Sequence, residues 1–204
     1  MSPHRRDILK ATGAVLAAAP AAAQTQAQSQ TQSPRAPVKT LVIVSHPYPE
    51  RSVLTKGLQQ AAEGVGNVTV RHLETLYGFD TRAIDARVEY ALTQQHERIV
   101  FMFPTHWFNI APMMKAYLND VWGSVGPGLW QGKQMLVVST AAGGSSTYGP
   151  KGRIGVSLAD VFLPMQASAA HAGMMYLPPL VFEGASAARL PDYQRQLVQR
   201  LAQK

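Results

Sequence analysis

The sequence predicts an α/β fold in which helices cover both faces of a parallel sheet, and three observations carry that prediction. Five short runs rich in β-branched and apolar residues recur along the chain, each followed by a helical pattern. Three of them, TLVIVS, RIVFMF and QMLVVST, are apolar on both faces, as strands buried on both sides of a sheet must be. Gly- and Pro-containing segments break the chain between the runs.

Each element follows from its own residues. The first strand is residues 40–45, ended by His46-Pro47-Tyr48-Pro49. Ser52 is placed to cap a helix over 52–63, which the Gly64–Gly66 pair ends. Residues 67–73 alternate as a second strand, and Asp80 or Thr81 opens a helix running to about Glu97. Residues 98–103 form the third strand. Pro112 suits the first turn of a helix reaching about Trp122. The fourth strand is 134–140, followed by a helix over about 156–170. Residues 174–182 hold a fifth strand that Pro178 and Pro179 shorten or bend, and Pro191 starts a last helix that runs nearly to Lys204.

Composition limits what this chain can be. Of 204 residues, 46% are hydrophobic and 15% charged, which suits a packed core and not a disordered chain. There is no cysteine, so disulfides, thiol catalysis and thiolate metal sites are excluded. The formal charge is +7, of which residues 1–23 contribute +2, and the remaining basic residues are scattered without interleaved aromatics. No nucleic-acid footprint results. No run of eighteen apolar residues appears, so no transmembrane segment is expected.

Residues 1–23 have the layout of an export signal: paired Arg5-Arg6, a short Ala-rich stretch, then small residues suited to cleavage after Ala23. HRRDILK resembles the twin-arginine consensus, which implies a periplasmic destination. Residues 24–37 are polar and low in complexity, and read as a disordered linker. The domain proper is expected over 38–204.

In an open α/β sheet, ligands bind outside the carboxyl ends of the strands. Three loops there are unusual. Residues 45–55 run from strand one into a helix N-terminus, where free amides and the helix dipole attract a phosphate; a rigid Pro-rich turn with Ser52 merely capping explains the same residues. Pro104, Thr105, His106, Trp107 and Phe108 put two aromatics after a buried strand, as a core plug or as a platform for a flat ligand. Thr140, Ala141, Ala142, Gly143 and Gly144, with Tyr148 beyond, combine small residues and close backbone approach. No GxGxxG, GxxxxGK[ST] or GxSxG is present, which disfavours a Rossmann or P-loop nucleotide site and a hydrolase. No metal site is expected.

Taken together, SHPYPERS, FPTHWFNIAPMMKAYLNDVW and TAAGGSSTYG resemble the flavodoxin-like NAD(P)H:quinone oxidoreductases, the family of the potassium-efflux ancillary flavoproteins and the mammalian quinone reductases. The resemblance spans about residues 39–185 and implies a three-layer flavodoxin-like fold with a five-stranded sheet in the order 2-1-3-4-5. It implies noncovalent FMN or FAD, with NAD(P)H as co-substrate. By analogy His46 and the segment Ser52, Val53, Leu54 and Thr55 hold the flavin phosphate and ribityl chain. Pro104 through Phe108 contact the isoalloxazine ring, and Thr140 through Gly144 line its other edge. Tyr148 aligns with a tyrosine that assists hydride transfer, and His106, in place of the usual Gln, is a second catalytic candidate. The implied reaction is ping-pong, with a quinone or other small aromatic acceptor, in a homodimer to which the apolar residues of the 113–126 stretch would contribute. An exported flavin-binding electron carrier or regulatory subunit is the alternative.

The sequence departs from that family at named positions. The usual Thr-Thr-Gly-Gly becomes Thr140-Ala141-Ala142-Gly143-Gly144, and Ile154 stands where mammalian quinone reductases have a histidine six residues after the tyrosine.

Overall fold

The computed structural model describes residues 36–122 and 127–204. The expected signal peptide and nearly all of the linker lie outside them.

Among the described residues, six strands and six helices follow one another: β1 (Thr40–Val44), α1 (Val53–Glu63), β2 (Val68–His72), α2 (Leu73–Tyr77), α3 (Ala86–Gln95), β3 (Arg98–Pro104), α4 (Pro112–Tyr117), β4 (Gln134–Thr140), α5 (Leu163–His171), β5 (Met175–Tyr176), β6 (Leu180–Phe182) and α6 (Leu190–Ala202). All pairing is parallel, in the order β2-β1-β3-β4-β5, with β6 also paired to β4. This is the flavodoxin-like order. β1 lies between β2 and β3, so the sequence order reverses beside it and a crevice opens between β1 and β3 at their carboxyl ends.

Side chains alternate across the sheet and feed two cores. Leu41, Ile43, Ile99, Phe101, Phe103, Met135 and Val137 face one way, toward Met113, Met114, Tyr117, Met165 and Ala169 of α4 and α5. Val42, Val44, Val100, Met102, Leu136 and Val138 face the other, toward Leu58 and Ala62 of α1 and Tyr193, Leu197 and Leu201 of α6. Each such large side chain buried contributes about 1.5–3 kcal/mol. That burial explains why β1, β3 and β4 read as continuous apolar runs.

Four elements differ from the sequence expectation. The fifth strand is two strands: Pro178 and Pro179 lack the N–H a ladder needs, so β5 pairs with the start of β4 and β6 with its end. A short helix, α2, follows β2 without a turn, because the ring of its capping residue His72 accepts the Thr75 N–H. The helix expected from Asp80 begins only at Ala86, capped by Asp85, after a 3₁₀ turn at Thr81–Ala83. The helix expected from residue 156 begins at Leu163, because Ser157 and Asp160 bond each other's side chains and backbone amides and close a separate turn first. The helix from Pro112 does reach Trp122, its last five residues as a π-helical turn. Met113, Met114, Tyr117 and Val121, expected as leftover partner surface, are instead buried in this chain's own core. No helix of the described residues is long and apolar enough to cross a membrane.

Candidate active site

The carboxyl ends of β1, β3 and β4 meet at a cleft of ≈ 310 Å³, lined by His46, Arg51, Ser52, Val53, Leu54, Thr55, Pro104, Thr105, His106, Thr140, Ala141, Ala142 and Ala185. Eleven of these thirteen, all but Arg51 and Ala185, were singled out in the sequence as cofactor-contacting. Trp107, Phe108, Gly143, Gly144 and Tyr148 were also singled out but do not line the cleft.

One end of the cleft is the start of α1. Ser52 is buried, and its hydroxyl accepts the Thr55 N–H at 3.0 Å, fixing the first turn. The preceding amides of the turn, at Val53 and Leu54, have no intrahelical acceptor and are available to an anion. His46 stands beside them. Its Nδ1 accepts the Tyr48 N–H at 2.9 Å, so its proton sits on Nε2 as a donor. Burial, together with the neighbouring His106 and His72, pushes the His46 pKa down to about 4. His46 is therefore a neutral donor near pH 7, and Arg51 is the one fixed cation among the lining residues.

The middle of the cleft is built from the β3 and β4 ends. Ser139 Oγ donates to the Phe103 carbonyl at 2.7 Å, which uses its single proton. The 2.8 Å contact between Thr105 Oγ1 and Ser139 Oγ must then be donated by Thr105. Thr105 consequently turns oxygen lone pairs toward the cleft. The Ala141 N–H and carbonyl are taken up by Phe182 and Ala185, which fastens the 140–142 wall to the segment after β6.

Beyond the cleft, His106 to Asn109 form a tight turn closed by the Asn109 N–H to His106 carbonyl bond at 3.0 Å. Both central residues have positive φ, Trp107 at 49° and Phe108 at 57°. Two aromatic residues in that region are outliers that cost of order 1–3 kcal/mol each. The strain leaves Trp107 93% exposed and Phe108 40% exposed at the cleft's rim. His106, also exposed, sits edge-on to His46 with ring centroids 5.9 Å apart, and Tyr48 lies 6.3 Å from His106. Phe108 meets Tyr148 edge-on at 6.0 Å. Tyr148 is buried, and burial followed by the charge of Glu183 raises its hydroxyl pKa. A side chain at Gly152 would run into the Tyr148 carbonyl, so this tight loop admits only glycine there.

Ala185 was missed because nothing in EGASAARL marks it as cleft-facing; only the splitting of the fifth strand brings it there. Glu74 was missed too. Its carboxylate is wholly buried and accepts the Ser45 hydroxyl at 2.6 Å, immediately behind the His46 loop. A charged residue inside the helix-forming HLETLY gave no sign of that burial.

The residues suit a flavin mononucleotide: a helix N-terminus with a cation for the phosphate, a neutral donor beside it, and a small-residue wall for a flat ring. Residues 38–204 match the family model described as flavodoxin-like fold, and the chain belongs to that family. Among curated relatives, general stress protein 14 of Bacillus subtilis is 34% identical over 168 residues, covering 76% of this chain and 90% of that protein. The NAD(P)H oxidoreductase YrkL of Bacillus subtilis is 32% identical, covering 76% and 97%. The glutathione-regulated potassium-efflux system ancillary protein KefF of Salmonella typhi is 30% identical, covering 68% and 80%.

Solved structures agree in fold. A crystal structure described as a thermophilic tryptophan halogenase from Streptomycin violaceusniger superposes with a TM-score of 0.74 at 29% identity, covering 80% of this chain and 99% of that one. General stress protein 14 of Treponema denticola in complex with FMN gives 0.73 at 26%, covering 80% and 97%. An NADPH-quinone reductase from P. pentosaceus gives 0.67 at 25%, covering 81% and 96%.

Proposed function

We propose that this chain is an FMN-dependent oxidoreductase that moves two electrons from NAD(P)H to a quinone or similar small aromatic acceptor. The observation that carries the reading is the cleft at the β1–β3 crevice, which joins an anion-binding helix start to a small-residue wall and a strained aromatic rim. Relatives named as NAD(P)H oxidoreductases and a quinone reductase, and an FMN complex on the same fold, support it. The neighbour described as a halogenase shares the fold and does not outweigh them.

When bound, the flavin supplies the two-electron chemistry, loaded by NAD(P)H and discharged to the acceptor in separate, ping-pong visits. The protein binds and orients. Arg51, the His46 Nε2–H and the amides at the start of α1 hold the phosphate. Thr105 would offer a hydrogen-bond acceptor to the flavin, while the small side chains of Ala141 and Ala142 would leave room for a flat ring. Trp107 and Phe108 form the outer wall against which nicotinamide and acceptor stack in turn. His106 and Tyr148 are the proton-bearing groups nearest that stacking space, and excluding water there is the task of the rim.

The acting form we propose is a homodimer, with the rim of Trp107, Phe108 and Tyr48 covered by the second copy. Residues 1–23 would export the loaded protein through the twin-arginine route to the periplasm. Replacing Arg5 and Arg6 by Lys should then leave the protein in the cytoplasmic fraction; unchanged export sinks that part.

The deciding experiment is the absorbance spectrum of the purified chain, identification of the released flavin, and steady-state turnover with NADH or NADPH and menadione. FMN with turnover supports the enzyme. A flavin-loaded chain without turnover supports the electron-carrier alternative, and a chain that takes up no flavin overturns both.

A further inference from the structure

Glu74 stands in α2 at the carboxyl edge of the sheet, its side chain wholly excluded from solvent. One oxygen, Oε1, accepts the hydroxyl of buried Ser45 at 2.6 Å. The other, Oε2, has no hydrogen-bond partner and lies 3.6 Å from His72 Nδ1. An orphaned carboxylate oxygen in the interior is costly, and an ion pair with His72 would be the ordinary remedy.

The geometry of His72 argues against that remedy. Its Nδ1 already accepts the backbone N–H of Thr75 at 3.3 Å, the bond that caps α2. A nitrogen that accepts carries a lone pair and no proton. The one lone pair of Nδ1 is thus taken, and 3.6 Å is too long for a hydrogen bond, so His72 offers Oε2 no counter-charge; a wholly buried carboxyl without one favours its neutral form. Burial, and after it Lys56 of α1, disfavours a positive His72, against a bond to its own backbone, and the desolvation of Glu74 favours its neutral form. The Ser45 hydroxyl and the amides of His46 and Glu74 act in the opposite sense on Glu74. α4, which packs against α2, turns Met113, Met114 and Tyr117 into the core, and its Lys115 is exposed.

We propose that Glu74 is a positioning residue for the phosphate end of the cleft: as a protonated, uncharged carboxyl group it ties Ser45, and with it the His46 loop, to α2 while keeping negative charge away from the bound phosphate. The proposal rests on the flavin reading above. It assigns a reason for the acid: the neutral form anchors the loop, and the ionised form opposes an anion at the same place. Affinity for a phosphorylated flavin is then full while Glu74 holds its proton and falls as rising pH removes it.

The test compares FMN with riboflavin, which lacks the phosphate, by fluorescence titration between pH 5 and 9 for the wild type, Glu74→Gln and Glu74→Ala. The second ionisation of the FMN phosphate, near pH 6, acts on all three proteins and cancels in their ratios. Glu74→Gln copies the uncharged form, so it should match the wild type at low pH. It should exceed it about tenfold for FMN at high pH, a one-unit rise of the Glu74 pKa on binding. Riboflavin affinity should not separate the two. Glu74→Ala loses the tie to Ser45 and should bind FMN more weakly than Glu74→Gln at every pH, with riboflavin unaffected.

A wild-type to Glu74→Gln ratio that is flat with pH, or equal losses for both flavins, overturns the proposal. Wild-type protein that binds neither flavin overturns the functional reading instead. In that case the infrared stretch of a protonated carboxyl, present in the wild type and absent from Glu74→Gln, still decides where the proton sits.

Discussion

Trp107 and Phe108 occupy the two central places of a turn that Asn-Gly would fill without strain. Replacing them by Asn and Gly should therefore raise stability, by about 1–3 kcal/mol in a denaturant titration. If the rim holds the substrate, the same variant should lose tenfold or more in kcat/KM with menadione. Equal activity would make the strain an accident of the loop. His46 predicts a pH effect. Its pKa lies near 4 in the folded chain against an ordinary 6.5, so the unfolded chain takes the proton first as pH falls. The stability it contributes is complete above about 6.5 and is lost as pH falls toward 4. The melting temperature should decline over that window, and His46→Gln should flatten the decline. At this scale the sequence disclosed residue types and loop membership. It did not give away protonation states, because those depend on which distant groups, His72 and His106 among them, the fold brings beside His46.

Among the elements, α1 couples stability to ligand binding through one hydroxyl. Ser52→Ala removes the cap bond to Thr55 and should cost about 1 kcal/mol in thermal or chemical unfolding. It should also weaken FMN more than riboflavin, because the released first turn is the proposed phosphate end. Elements were legible where both local chemistry and burial spoke for them. β1, β3 and β4 were placed within a residue or so, since strands buried on both faces must be apolar throughout. α2 was not legible: its cap is a histidine ring, an uncommon acceptor at that position, and no turn separates it from β2. The split of the fifth strand was half legible. The two prolines announced a break, but only the pairing partner β4, which meets β5 at Gln134 and Met135 and β6 at Val138, Ser139 and Thr140, shows that both pieces stay in the sheet.

For the whole molecule, the parallel sheet followed from the alternation of elements, its strand order from the family resemblance, and the location of the cleft from three loops read together. The convergence was visible because parallel strands put every strand-to-helix loop at one edge. What no local pattern disclosed were the contacts that close the chain over long separations. Arg98, at the start of β3, is buried and gives its guanidinium to the carbonyls of Leu201 and Gln203 and to Gln134. Arg98→Leu should leave those carbonyls unpaired and cost about 2–4 kcal/mol. Hydrogen exchange should show the last turn of α6 opening first, with the flavin cleft at the opposite edge unchanged.

The same clamp has a meaning for how the protein is made. Residues 201 and 203 bond a residue about a hundred positions earlier, and α6 supplies the outer cover for the core beneath α1. A nascent chain lacking its final turn has neither the cover nor the latch. Folding of this core can finish only once residues 190–203 have been made.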